Sequence, residues 1–262
     1  MEAPQGASSE IWRYVDLPRF LSLLTGTLWF ARADTFEDKW EGFSRAISRG
    51  KGTDGAQQEN LALRAYEKVI SQHKDWRRQL NKCVYVNCWT LAAESIPMLK
   101  IYGSYDTGIA IQSSVERFRK SVQLEGFAEH KTSHVEYFDT LPLPDFDYSK
   151  GIEFSWPKAC ELHLRKRSCF KFEQEWRAVI VGWGSDRNSY KNKGIQVPVV
   201  VDDLIERVFV SPLASDSFLR TVTTASEKFG LKVMPRRSEL ARRRPRQAVP
   251  GDSSQPEHPC PL

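Results

Sequence analysis

The sequence predicts a mixed α+β fold: one domain with a largely antiparallel sheet and flanking helices, followed by an unstructured C-terminal tail. Three observations carry this. The 262 residues are 40% hydrophobic and include eight Trp and fourteen Phe, the composition of a chain that buries a core. Short alternating apolar segments interleave with helical patterns over residues 11–238, with no internal repeat and no low-complexity linker between domains. From Pro235 onward the chain reads PRRSELARRRPRQAVPGDSSQPEHPCPL, with six Arg and three acids but no apolar pattern, so residues 239–262 are expected to be disordered. The same expectation holds for residues 1–10.

IWRYV (11–15) reads as a strand. DLPRFLSLLTG follows as a helix, with Asp16 as cap, Pro18 in the first turn and Gly26 at the end. TLWFARADTF (27–36) is a strand running into a loop, residues 47–58 a polar loop, and residues 59–80 a helix. Residues 83–89 alternate as a strand, Ser95 to Tyr102 form a short helix, GIAIQ is a strand and VERFRKSV a helix. YGSYDTGIA lacks the GK[ST] of a phosphate loop, so Gly103 and Gly108 mark a tight turn. SHVEYFD (133–139) is a strand, LPLPDFDYSKG an irregular connection, and FSWPKACELHLRKRS (154–168) a helix whose basic cluster favours its C-terminal dipole. FKFEQEWRAVIV (170–181) is the next strand. A polar loop (184–194), the strand GIQVPVVV, a helical turn at DDLIERV, the strand VFVSP, a helix over 215–229 ending at Gly230 and a closing strand LKVMP complete the domain.

Composition narrows the function. No apolar run reaches the roughly 20 residues of a membrane span, and MEAPQGASSE lacks the features of a signal peptide; a cytoplasmic protein with no membrane partner is expected. Five cysteines without a CxxC pair predict neither a disulfide framework nor a zinc site. His130 and His134 lack the glutamate of a zinc-protease helix and suit a solvated strand edge, so no metal is expected. Without its tail the chain has 32 basic and 30 acidic residues. The folded body thus lacks the basic stripe of a dedicated DNA reader, and only the Arg-rich tail is expected to touch nucleic acid, weakly, through phosphates.

One charged row stands out. Side chains alternate faces along a strand, so in FKFEQEWRAVIV the residues Lys171, Glu173, Glu175 and Arg177 share one face, continued by Val179 and Val181, while Phe170, Phe172 and Trp176 share the other. The row is either a salt-bridged strand face or the wall of a polar site.

Three blocks carry a family resemblance: RYVDLPRFLSLLTGTLWFARADTFEDKWEG, NCWTLAAESIPMLKIYGSYDTGIAIQ and KRSCFKFEQEWRAVIV. In this order they resemble the bacterial domain-of-unknown-function family 2971, over about residues 11–240. They depart from its pattern at Leu99-Lys100, where Trp is common, and at Asp38-Lys39, where Asp-Pro is common. More distantly they resemble the ADP-ribosyltransferase fold, which implies a split sheet and NAD as substrate. On that resemblance Arg13 stands for the first-strand Arg, Cys88-Trp89-Thr90 for the second motif, and Glu173-Gln174-Glu175 for the late Glu-x-Glu. The roles implied are a dinucleotide clamp for Arg13, stacking on nicotinamide for Tyr14, Trp89 or Tyr102, and cofactor contact for Thr90. Glu175 would stabilise an oxocarbenium-like ribose, and Glu173 would orient or deprotonate the acceptor. The acceptor would be protein or nucleic acid, and the role that of a defence or toxin effector.

Two other readings stay open. Asp34, Glu37, Asp38 and Glu41 in DTFEDKWEG, with Glu173 and Glu175 and a lysine such as Lys39 or Lys171, suit a divalent-cation nuclease. A non-enzymatic module binding a nucleic acid or protein through its tail is the third. Cys88 reads as a small buried hydrophobe.

Overall fold

A computed structural model describes residues 9–38, 41, 81–127, 129–138, 160–182 and 192–240. The expected helix over 59–80, the loop over 47–58, the connection LPLPDFDYSKG and the tail from residue 241 lie outside the described residues. The fold is mixed α+β with a largely antiparallel sheet.

Strand β1 (Glu10–Val15) leads directly into helix α1 (Leu17–Leu24). The Asp16 carboxylate accepts the Arg19 N–H at 2.9 Å, and Pro18 sits in the first turn, where no N–H is needed. Gly26, at φ +85°, turns the chain out of the helix into β2 (Thr27–Arg32). Asp16→Ala should cost about 1 kcal/mol through loss of this cap, read from a urea unfolding curve.

The remaining elements follow in order: β3 (Val84–Thr90), a short helix α2 (Ile96–Met98) that widens into a π turn over Leu99–Gly103, β4 (Ile109–Ser114) and α3 (Val115–Ser121). Then come β5 (Glu129–His134), β6 (Glu136–Phe138), β7 (Arg165–Arg167), a 3-10 turn over Ser168–Glu173, and β8 (Glu175–Val181). The chain closes with β9 (Gly194–Pro198), α4 (Val201–Leu204), β10 (Arg207–Val210), α5 (Asp216–Lys228) and β11 (Arg236–Arg237).

The sheet forks at β3. Strand β8 pairs with β3 along its whole length, Val84↔Val181 to Thr90↔Glu175, and carries β5 on its other side. That leaves one edge of β3 for both β1 and β2. Strand β1 meets it at Trp12↔Thr90, and β2 at Ala31↔Val86 and Arg32↔Tyr85. One arm of the fork continues through β4, β10 and β11, and the other through β9. Carbonyls exposed in the fork find side-chain donors: Arg13 donates to Cys88 O at 2.7 Å, and Asn87 Nδ2 to Trp29 O at 2.7 Å.

The helices cover one face. Phe20 and Leu23 of α1, Phe118 of α3, Leu204 of α4 and Val222 of α5 pack there on Ile11, Val15, Trp89, Trp176, Ala178 and Ile180. The other face holds two smaller clusters. One contains Val84, Val86, Val179 and Val181 with Cys160 and Leu164, and the other Trp12, Tyr14, Met98, Leu99, Ala110 and Phe209. The strand alternation of Thr90, Glu175 and Arg177 places them on this second face.

Four sequence expectations change. The strand expected over 170–181 begins only at Glu175, because Ser168–Glu173 winds into a 3-10 turn. The basic end of the helix expected over 154–168 is instead strand β7, parallel to β6, with Arg165 opposite Glu136; its inner residue answers to buried carboxylates rather than to a helix dipole. The strand expected over 133–139 breaks at Val135, where the chain leaves β8 and joins β7. LKVMP is not a strand; the closing strand is Arg236–Arg237, parallel to β10. His130 and His134 are exposed on β5. No described helix is long and apolar enough to cross a membrane.

Candidate active site

The charged row at the start of β8 and in the turn before it does not face solvent. Glu173, Glu175 and Arg177 are 3%, 5% and 1% exposed, and Lys166 of β7 only 7%. Unpaired charges at such depth would cost several kcal/mol each, so the arrangement has to be one of mutual satisfaction. Arg177 forks onto Glu175, with Nε to Oε2 at 2.6 Å and NH2 to Oε1 at 3.0 Å, and its NH1 donates to His163 O at 2.8 Å. Lys166 Nζ bridges the two carboxylates, 2.5 Å from Glu173 Oε2 and 2.6 Å from Glu175 Oε1. Glu41 joins from the acidic stretch, 3.2 Å from Lys166 Nζ and 2.9 Å from Arg177 NH1. The Tyr102 hydroxyl donates to Glu173 Oε1 at 2.8 Å.

The backbone makes this convergence possible. Gln174 is left-handed at φ +44°, an uncommon conformation for a residue with a Cβ. It joins the 3-10 turn to β8, and both carboxylates flanking it reach the one ammonium group. The bend is held from β3: Thr90 Oγ1 donates to Glu173 O at 2.5 Å, and Leu91 N to Gln174 O at 2.8 Å. From the opposite side the Glu175 N–H donates to the Tyr137 hydroxyl at 2.8 Å.

Three carboxylates face two cations, and the excess negative charge falls unequally. Burial raises the Glu173 carboxyl, and its hydrogen bond and repulsion with Glu175 raise it further; Lys166 opposes this, and the result is about 7. Burial acts on Glu175 in the same sense, but Arg177 foremost, with the Glu173 hydrogen bond and Lys166, holds it well below the usual carboxylate range. Burial would lower Lys166, yet Glu175 and Glu41 outweigh it and keep the ammonium firmly charged. Glu175 is thus a standing anion, and Glu173 the group that exchanges a proton near neutrality.

The residues singled out in the sequence divide between the two faces. Glu173, Glu175 and Tyr102 come together directly. Thr90 lies on their face and braces Glu173 through its backbone. Tyr14 is on that face too, where its hydroxyl accepts the Ser95 N–H at 2.8 Å and anchors the segment after β3. Arg13 and Trp89 are on the helix-covered face. Arg13 is spent on carbonyls in the fork, and Trp89, 1% exposed, packs edge-on against Phe118 at 6.0 Å. Neither side chain reaches the carboxylates, because a one-residue step along a strand reverses the face. Cys88 shares the site face, and burial foremost pushes its thiol up, as suits a small hydrophobe.

Lys166 and Tyr137 complete the site beyond the residues expected to act in it, and Glu41, grouped with Glu173 and Glu175 only in the divalent-cation reading, joins them through the two cations. Of these, Lys166 carried a usable signal: read as a strand, Arg165-Lys166-Arg167 alternates, sending Arg165 to Glu136 and Arg167 to Asp38 while Lys166 turns inward. The acids proposed for a cation divide in the same way. Asp34 pairs with Arg32 at 2.6 Å, Asp38 with Arg167 at 2.9 Å and Glu41 with Lys166 and Arg177, and Glu37 is exposed.

No family model matches the chain, and no curated protein does, so the expected likeness to family 2971 is not shown. Among solved structures, the chain is similar to DarT of Thermus sp. 2.9 in three states. The complex with NAD+ is 13% identical, covering 89% of this chain and 97% of that one at a TM-score of 0.38. The complex with ADP-ribosylated ssDNA is 14% identical, with 90% and 96% covered at 0.37. The complex with carba-NAD+ is 13% identical, with 90% and 96% covered at 0.35. Similarity this low assigns nothing to individual residues of this chain.

Proposed function

We propose that the protein cleaves the nicotinamide–ribose bond of NAD and passes the ADP-ribosyl group to an acceptor nucleophile or to water. The observation that carries this reading is the unequal holding of two buried carboxylates two residues apart. Arg177 forks onto Glu175, Lys166 bridges both, and the second oxygen of Glu173 meets the neutral Tyr102 hydroxyl. This holds Glu175 ionised and pushes Glu173 up. As the C1′–N bond breaks, its electron pair leaves with nicotinamide and positive charge grows on the ribose. Glu175, as a standing anion, stabilises that charge. Ionised Glu173 takes the proton of the attacking O–H or N–H as the new bond to C1′ forms, which suits a base poised near the working pH. Tyr102, 41% exposed, is the outermost partner of the pair; on this reading it swings off Glu173 to admit substrate. The acidic stretch supports a metal-dependent nuclease less well, since Asp34, Asp38 and Glu41 are each held by a basic side chain.

The test is incubation of the purified protein with NAD labelled in the adenosine moiety, following nicotinamide release and transfer of label to protein, single-stranded nucleic acid or water. Glu175→Gln should lower release at least about a hundredfold, the usual cost of removing a group that stabilises developing charge. Equal release by wild type and a folded Glu175→Gln, or none by either with any acceptor, sinks the reading. A purely structural ion cluster, which the burial of both carboxylates also suits, would then stand.

A further inference from the structure

Lys166 is the one described side chain that bonds both carboxylates at once, and it does so from outside the turn and strand that carry them. It reaches in from β7, which among the described residues pairs with β6 alone in a two-stranded ribbon beside the main sheet. We propose that Lys166 is the positioning residue of this site: by bridging Glu173 and Glu175 it holds the two carboxylates together and gives Glu173 its one cation among the described residues, while Arg177 makes Glu175 the anion. This deepens the NAD reading and rests on it for its catalytic meaning.

The geometry makes the assignment asymmetric. On Glu175, Lys166 shares Oε1 with Arg177 NH2, while Arg177 Nε holds Oε2. Two cations therefore stand against that one carboxylate. On Glu173, Lys166 is the only basic partner among the described residues, and the second oxygen receives a neutral donor, Tyr102. One cation against two carboxylates cannot fully compensate both, so the proton goes to the side that lacks the guanidinium. The other charged or titratable groups around the pair are Glu41, which contacts both cations, Tyr137, which meets the Glu175 backbone, Cys88, which lies across from Arg177 on β3, and His163, whose carbonyl accepts from Arg177. Phe170, with its ring centroid 4.6 Å from Lys166 Nζ, covers the ammonium with a π face. Lys166 is thus held in one place by three carboxylates and a ring.

The experiment uses the full chain with carboxyl-13C glutamate, assigning Glu173 by its loss in Glu173→Gln, and titrates wild type, Lys166→Arg, Lys166→Met and Lys166→Gln by NMR. Removing the ammonium should raise the Glu173 midpoint by about one unit or more, the usual effect of losing an adjacent opposite charge. Glu175 should shift the same way, and Lys166→Arg should restore both. The pH profile of nicotinamide release should move with Glu173. Unchanged midpoints in either neutral variant, once folded, overturn the proposal. So does failure of both neutral variants to fold, which would make Lys166 a structural brace. Shifted midpoints with no nicotinamide release from any form, wild type included, uphold the positioning role and remove the NAD reading alone.

Discussion

Arg177→Met should lower the unfolding free energy by about 3–5 kcal/mol, the cost of leaving a buried charge without its partner. Arg177 is 1% exposed, donates to both oxygens of Glu175 and to the His163 carbonyl, and pairs in charge with Glu41 at 2.9 Å. Its removal strands two carboxylates with Lys166 as their remaining cation. Much of that penalty belongs to the unpaired acids rather than to the lost attraction, and a double variant separates the two. Arg177→Met combined with Glu175→Met should recover most of the loss, because apolar side chains of similar volume replace a buried pair at little net cost. Urea unfolding at neutral pH measures both. A single variant within 1 kcal/mol of wild type would mean that the cluster is far more hydrated than its burial implies.

The second large effect is a stability profile that falls as pH rises. Glu173 has a folded-state value of about 7 against an ordinary 4.5, so between these two pH values the folded protein binds the extra proton. Stability therefore falls with rising pH across that window and levels off above it, by about 3 kcal/mol for a shift of this size. Glu175 acts with the opposite sign. Held below its ordinary value, it contributes stability above pH 4.5 that is lost as acid protonates it. The sum of the two places an optimum near the lower end of the Glu173 window. Glu173→Gln should flatten the decline between pH 5 and 8 and leave the acid limb in place. Denaturant midpoints taken at intervals across that range decide it; a decline that survives in Glu173→Gln belongs to another group.

Where sequence and structure part, the reason is pairing across distance. The helix α1 was legible to its ends because Asp16, Pro18 and Gly26 act within a few residues of themselves. Strands β1 to β4 were legible because short runs rich in β-branched and aromatic residues, set off by turn and cap residues, are written into neighbouring positions. Arg165-Lys166-Arg167 was not: next to a helical pattern, a basic triplet reads as a helix end, and only the buried carboxylates of Glu41, Glu173 and Glu175 make it a strand with its lysine inward. The start of β8 was misplaced because nothing in Phe170-Lys171-Phe172 announces a 3-10 turn or a left-handed Gln174.

By itself the sequence determined the α+β class, most of the elements, and the pair Glu173 and Glu175 as the place to look. Those depend on local periodicity and on residue type. Tertiary structure alone decided that β3 forks, that Arg13 and Trp89 belong to the face opposite the carboxylates, and that Lys166 completes the site and pairs with Glu41 there. It also decided the protonation of the two glutamates, since that depends on which cations reach which oxygens across more than a hundred residues of chain. The Arg177–Glu175 pair is written into one strand face, but Lys166 and Glu41 reach the carboxylates through the pairing of segments far apart in sequence, which no local pattern encodes.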